Sequence, residues 1–367
     1  VQISIVKGAM NMEIRLPIEL KTAVITECWT FEKLAVIQSS PLADDWLASH
    51  LSLYMDAEFS CYFGDGESYY DPAYYRDILR IEELPLFPLS EEETLSLIRQ
   101  NLREGRYVMV MLHQGIEERD GRNDYHEALL YGYDDEKEIF FTPALRMTRL
   151  VERELPFDAV HASLVRLKAH MLRVPDDRFF WSREYQYPLS IIQIREDYVP
   201  NQVYEALKKI VPEVWGKSVA VTELDADMRL YGEKTVYKGL GCLYGLREAL
   251  RRTLNGEPMP PTFLGFARNL KKMLEHRQNL LHTMRYIMDR WNIQNDEIDW
   301  HVQSYASCCE RAENWMSMAL KAELTGDTSL YACIAEEIPA AYREEYLMLA
   351  DFYNLCLAWY YENHTRV

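Results

Sequence analysis

The sequence predicts a mixed α+β chain with a helical second half, and three observations carry that prediction. The run YVMVMLH (107–113) is apolar at almost every position, which suits a strand buried on both faces. EALLYGY (127–133) and EIFFT (138–142) flank the polar turn Asp134-Asp135-Glu136-Lys137, the pattern of a hairpin. From about residue 200 the apolar spacing becomes helical, as in Phe263, Phe266, Leu270, Met273 and Leu274, or Tyr346, Leu349, Tyr353, Leu357 and Tyr360. The expected division is an α+β domain over 1–200, built on a central and mainly antiparallel sheet, and a helical bundle or cap over 201–367.

Taken in order, ECWTFEKLAVIQ (27–38) has helical spacing and is interrupted by Ser39, Ser40 and Pro41. A stronger amphipathic helix is expected over 42–56, with Leu42, Trp46, Leu47, Leu51 and Tyr54 on one face. Residues 57–88, rich in Tyr, Asp, Gly and Pro, read as long loops with short elements. Ser90 followed by Glu93 has capping-box spacing and starts a helix that runs to about Arg103, with Gly105 where a C-terminal cap belongs. A short helix over 155–164 and a strand over 189–196 close the first half. Helices are expected near 201–214, 234–254, 262–291, 297–323 and 338–362, with their Met, Trp and Tyr residues as packing material.

Composition narrows the function classes. A chain of 367 residues with 48% apolar and 27% charged residues is globular and long enough for two or three domains. Its net charge of −18 argues against nucleic acid and against anionic lipid as partners, because both need a basic field. An acidic carrier protein would need a local basic patch, for which 247–253 (REALRRT) and 271–277 (KKMLEHR) are candidates. The first residues lack a signal-peptide core and no run reaches membrane-spanning length, so a cytoplasmic location is expected. Seven scattered cysteines without a CxxC pair give neither a disulfide framework nor a zinc motif, and adjacent Cys308 and Cys309 receive no role. Dinucleotide, phosphate-loop, HExxH and GxSxG motifs are absent, and His276 and His282 are six apart, the wrong spacing to share a metal. No cofactor and no metal is expected.

What remains is thiol chemistry. A nucleophilic cysteine needs a lowered pKa, which a helix N-terminus and a nearby imidazolium provide. Cys28 opens the 27–38 helix, where backbone N–H groups favour an anion. His126 opens a core strand far downstream. Spacing leaves a second reading open, in which Cys28 is a small buried apolar residue and His126 a strand-end polar group.

Residues 28–59, CWTFEKLAVIQSSPLADDWLASHLSLYMDAEF, resemble the opening of the butirosin biosynthesis protein H-like family, with its cysteine, amphipathic helix, Pro-Leu break and second helix. LREGRYVMVMLHQ (102–114), YHEALLYGYDD and EIFFTP are similar to the same family and to the wider papain-like, C39-like cysteine peptidase fold. Tyr237-Lys238-Gly239 and the helices after it resemble the helical C-terminal part of such proteins. The resemblance covers most of the chain and implies a papain-like N-terminal domain in a natural-product pathway. The family archetype is an acyltransferase that moves an aminoacyl group from a carrier-protein thioester to an amine. Carried over by position, Cys28 matches the nucleophile and His126 the base.

Three departures from the family pattern bear on that implication. Thr142 precedes Pro143 where the family has Asp, so a hydroxyl stands in the third catalytic position without a negative charge. Glu27 replaces a histidine beside the nucleophile, and a carboxylate there opposes thiol ionisation unless it points away. The family's Gly-rich segment shrinks to Gly64 and Gly66. The expected catalytic residues are Cys28, His126 and Thr142, with Asp124 an alternative orienter of the ring. His113 and Tyr125 are expected to contact substrate, although the default reading of His113 is a strand-end cap. Two functions follow. One is a cysteine-dependent acyltransferase or amide-processing enzyme taking a small-molecule or peptide substrate, with an acyl or peptidyl carrier protein or a pathway enzyme as partner. The other is a catalytically degenerate papain-fold binding or scaffold protein in a nonribosomal peptide or polyketide pathway. The tyrosine-rich 68–75 segment reads either as a pocket lining or as a loop that packs its rings onto the surface, and the binding reading predicts a large aromatic groove.

Overall fold

The structure is a computed structural model that describes residues 6–7, 12–63, 75–84, 89–113, 125–146, 149–173, 189–200, 203–215, 218–224, 230–260, 263 and 265–364. In chain order the elements are β1 (Val6–Lys7), β2 (Met12–Arg15), α1 (Cys28–Ile37), α2 (Ala43–Ser49), β3 (Leu53–Met55) and β4 (Cys61–Phe63). Next come β5 (Leu79–Leu84), α3 (Glu91–Arg103), β6 (Tyr107–His113), β7 (Tyr125–Leu130), β8 (Gly132–Asp134), β9 (Ile139–Arg146) and β10 (Arg149–Pro156). Then follow α4 (Phe157–Arg173), β11 (Leu189–Ile194), α5 (Val203–Trp215), β12 (Ser218–Leu224) and β13 (Leu230–Lys238). Four helices end the chain: α6 (Gly241–Leu254), α7 (Phe266–Trp291), α8 (Asp296–Thr325) and α9 (Ser329–His364). The fold is mixed α+β, with antiparallel sheets and helices in the N-terminal half and a helical bundle at the C-terminal end. Two compact units form, one from 1–43 and 70–198, the other from 44–69 and 199–367. Where the sequence suggests a single boundary near 200, residues 44–69 belong with the second unit.

The first unit contains two antiparallel sheets, ordered β1-β2-β8-β9-β10 and β5-β11-β6-β7. Tyr107 to Leu112 of β6 are all buried, as a continuous apolar run requires. Each such aliphatic side chain contributes about 1.5–3 kcal/mol through its removal from water. The β8–β9 turn closes because Asp134 Oδ1 accepts the Glu136 and Lys137 N–H groups at 2.9 and 3.1 Å. The 125–134 run serves both sheets. Its β7 half pairs with β6, after which Tyr131 donates its N–H to Phe141 and accepts from Leu16 N–H, and its β8 half pairs with β2 and β9. Gly132 permits that crossover, since a Cβ there would lie 2.3 Å from the Ile14 carbonyl oxygen. β10, with alternating burial, is a strand that the sequence reading does not anticipate.

At the start of α3, Ser90 Oγ accepts the Glu93 N–H at 3.2 Å and Glu93 Oε2 accepts the Ser90 N–H at 2.7 Å, a complete capping box. Gly105 follows the helix at φ +79°, a conformation that favours glycine. Ser90→Ala is expected to lower stability by about 1 kcal/mol, read as a shift of the urea midpoint with unchanged slope.

The second unit departs from the expected all-helical pattern. β12 and β13 pair antiparallel and join the sheet β12-β13-β3-β4, and α6 begins only at Gly241. β-branched and aromatic residues in KTVYK outweigh the weak helical spacing there. The helix expected over 42–56 also stops early, at Ser49. Leu51 adopts φ +67° and β3 follows, all three of its residues buried. Below it, α7 carries a row of buried polar residues that its apolar spacing hides. Asn269 Oδ1 accepts the Cys61 N–H at 2.9 Å and its Nδ2 donates to the Phe59 carbonyl at 2.8 Å. Thr283 donates to the Ala48 carbonyl at 3.0 Å, and Asn279 to those of Leu47 and His50 at 3.4 and 3.3 Å. The end of α2 and the edge of β4 thus find in α7 the partners that buried backbone groups need.

Candidate active site

α1 begins at Cys28 because Glu27 is still extended, at φ −129° and ψ 118°, while Phe31 N–H already bonds to the Glu27 carbonyl at 2.8 Å. Phe31, Leu34, Ala35, Val36 and Ile37 are buried, and so are the polar Glu27, Thr30, Glu32 and Lys33. Four buried polar side chains on one short helix and its N-cap are unusual, and burial on this scale demands partners. The Glu27 carboxylate accepts from the Thr30 hydroxyl at 3.0 Å. Burial pushes the Tyr75 hydroxyl up; its hydrogen bond to Thr30 acts the other way, and the Glu27 charge adds to the rise. Lys33 Nζ lies 5.2 Å from the Tyr75 ring centroid. The carboxylate beside Cys28 therefore belongs to a buried network with Thr30 and Tyr75.

β7 brings the imidazole to the thiol. Cys28 Sγ, a ring nitrogen of His126 and a carboxylate oxygen of Glu127 all lie within 4.8 Å of one another. His126 Nδ1 is 2.9 Å from the Glu127 carbonyl oxygen and 3.7 Å from Glu127 Oε2. Donation by Nδ1–H to that carbonyl leaves the lone pair of the neutral ring on Nε2. The cluster has a wet and a dry side: the His126 side chain is 31% exposed, that of Glu127 only 1%. Behind Glu127 stands Glu32 of α1. Burial first, and then the Glu127 charge, hold the Glu32 carboxyl well above the usual carboxylate range; Lys33 and the Leu129 N–H pull the other way.

Glu127 is the functional candidate that motif reasoning misses. Its signal is an acidic residue on the inward face of an apolar strand, alternating with buried Leu129. Thr142, expected as the third catalytic group, sits buried in β9, where its hydroxyl donates to the Pro143 carbonyl at 3.3 Å. The carboxylate at the His126 ring is supplied by the next residue along β7. His113 and Tyr125 are paired across β6 and β7, one residue beyond the His126–Leu112 pair, and their side chains lie outside the described residues. Asp124, Gly64, Gly66 and all of 68–75 except Tyr75 also lie outside them. No helix among the described residues is long and apolar enough to cross a membrane. A thiol at a helix N-terminus, an imidazole within reach and a buried carboxylate on that imidazole are the parts that general-base activation of a nucleophile requires. No protein-family model and no curated protein sequence matches the chain.

Proposed function

We propose that the chain is a cysteine-dependent acyl-transfer enzyme acting on a carrier-bound thioester or an amide, with an amine as acceptor, in natural-product biosynthesis. The observation that carries this reading is the grouping of Cys28, His126 and Glu127 within 4.8 Å at the start of α1. His126 Nδ1 stands 3.7 Å from Glu127 Oε2, looser than a hydrogen bond, as catalytic contacts often are before substrate binds. His126 takes the Cys28 proton, and the thiolate attacks the acyl carbon. The tetrahedral adduct expels the carrier thiolate, which takes the proton back from the imidazolium, leaving Cys28 acylated. The acceptor amine then attacks, loses its proton to His126, and releases the Cys28 thiolate as the new amide forms. Glu127, close to the ring and dry, stabilises the imidazolium in both half-reactions. The papain-like resemblance supplies the acyl chemistry, and Glu127 supplies the charge that Thr142 lacks. A binding or scaffold role rests on the Asp-to-Thr departure at 142 and predicts an inert thiol.

The test is intact-mass analysis of the full chain after exposure to an aminoacyl thioester of N-acetylcysteamine. The expected result is one acyl adduct on Cys28, absent from Cys28→Ala and released by added amine. Iodoacetamide at neutral pH is expected to alkylate Cys28 ahead of the other six cysteines. No adduct together with an unreactive Cys28 would establish the scaffold role instead.

A further inference from the structure

The geometry points to a second property of the same cluster: we propose that Cys28, His126 and Glu127 form a three-ligand site for a borderline-soft divalent cation of the zinc class, its fourth position open to solvent. The proposal rests on the placement of three donors and not on acyl transfer. One sulfur, one imidazole nitrogen and one carboxylate oxygen lie within 4.8 Å of each other. Around zinc, with bonds of about 2.0–2.3 Å, tetrahedral ligands stand roughly 3.3–3.8 Å apart. That spacing falls within the 4.8 Å limit, and His126 Nδ1 and Glu127 Oε2, 3.7 Å apart, already match it.

The second observation is the state of Glu127. Its side chain is 1% exposed, and neither carboxylate oxygen has a hydrogen-bond partner among the described residues. His126 Nδ1 stands 3.7 Å from one of those oxygens. A buried carboxylate with unused lone pairs is costly, and a coordinated cation removes that cost. The charges also match, since one thiolate and one carboxylate neutralise a dication. Mixed S, N and O donors select zinc-like ions over magnesium or calcium. The Glu127 carbonyl that receives Nδ1–H is the kind of outer partner that fixes the orientation of a metal-binding imidazole. Entry is through the exposed side of His126 and half-buried Cys28. On binding, the Cys28 S–H bond is replaced by an S–metal bond and the proton passes to buffer. Such a cation reversibly blocks the thiol.

The experiment titrates the full chain with Co²⁺ in chelator-free buffer. The expected result is stoichiometric binding with a thiolate-to-cobalt charge-transfer band in the near ultraviolet, lost in Cys28→Ser. Glu127→Gln, a substitution of matched shape, is expected to weaken binding at least about tenfold. Saturating Zn²⁺ should slow alkylation of Cys28 and a chelator should restore it. Binding that survives Cys28→Ser without the band, or no binding at micromolar protein, overturns the proposal. In the second case a Cys28 that still alkylates selectively leaves the acyl-transfer reading standing, so the two failures are distinct.

Discussion

Glu345→Ala is expected to destabilise the protein by about 3–5 kcal/mol, a large part of the stability of an ordinary domain. Arg277 of α7 places Nη2 3.0 Å from Glu345 Oε1 and 2.9 Å from Oε2, with Nε 3.2 Å from Oε1. Both side chains are almost wholly buried, at 5% and 1% exposure. Burial pushes Tyr305 and Cys308 of α8 up, and the charges of the pair act on both groups as well, so all three bundle helices meet there. Removing the carboxylate leaves a guanidinium in the core with the Met273 carbonyl, 3.2 Å from Nη1, as its remaining hydrogen-bond partner among the described residues. Combining Arg277→Met with Glu345→Leu is expected to recover most of the loss, because the expense lies in the unpaired charge rather than in the missing pair. Urea denaturation of the two single variants and the double variant gives the coupling. Losses below 1 kcal/mol in both single variants would contradict the buried pair.

Lys209→Met is expected to stabilise the protein at neutral pH by an amount that shrinks as pH rises. Lys209 is buried, with Nζ 3.3 Å from the Thr283 hydroxyl and 3.4 Å from the Leu47 carbonyl. Burial pushes its pKa down to about 7, against the opposing pull of Glu213. Below that value both the folded and the unfolded chain hold the proton, and the burial penalty is present in full. Between about 7 and the ordinary value of 10.5 only the unfolded chain holds it, so the wild type gains stability with rising pH through this window. The methionine variant lacks that gain. Its advantage is expected to fall by about 1 kcal/mol per pH unit between pH 7 and 9. Paired denaturation curves at the two pH values measure it, and a constant difference would mean that Lys209 keeps its ordinary protonation.

The parts of the fold that could be read from sequence are those whose signals are local. The Ser90 capping box, the apolar β6 run, the turn at Asp134 and the start of α1 at Cys28 each rest on a few neighbouring residues. The early end of α2 at Ser49 did not show, because the 42–56 stretch keeps its apolar face while Leu51 turns left-handed. The pairing of β12 with β13 was hidden by helical spacing on both sides of it. At the candidate site, Cys28 and His126 were identifiable by residue type and by element. Glu127 and Glu32 were not, since their meaning comes from mutual approach between a strand and a helix far apart in sequence. The polar row of α7 was hidden for the same reason: its partners are backbone groups of 47–61.

The crossover at Gly132 has a bearing on chemistry several residues away. Neighbouring side chains of a strand point to opposite faces, so a slip of β7 by one place would exchange His126 and Glu127. The imidazole would enter the core and the carboxylate would meet water. β6 alone would resist such a slip weakly, because apolar side chains fill both of its faces. The backbone of β8, wedged beside Ile14 where no Cβ fits and tied through Tyr131 to Leu16 and Phe141, fixes the register from outside the sheet that holds the cluster. Fidelity of the reactive grouping is thus inherited from a main-chain junction that bears no reactive group.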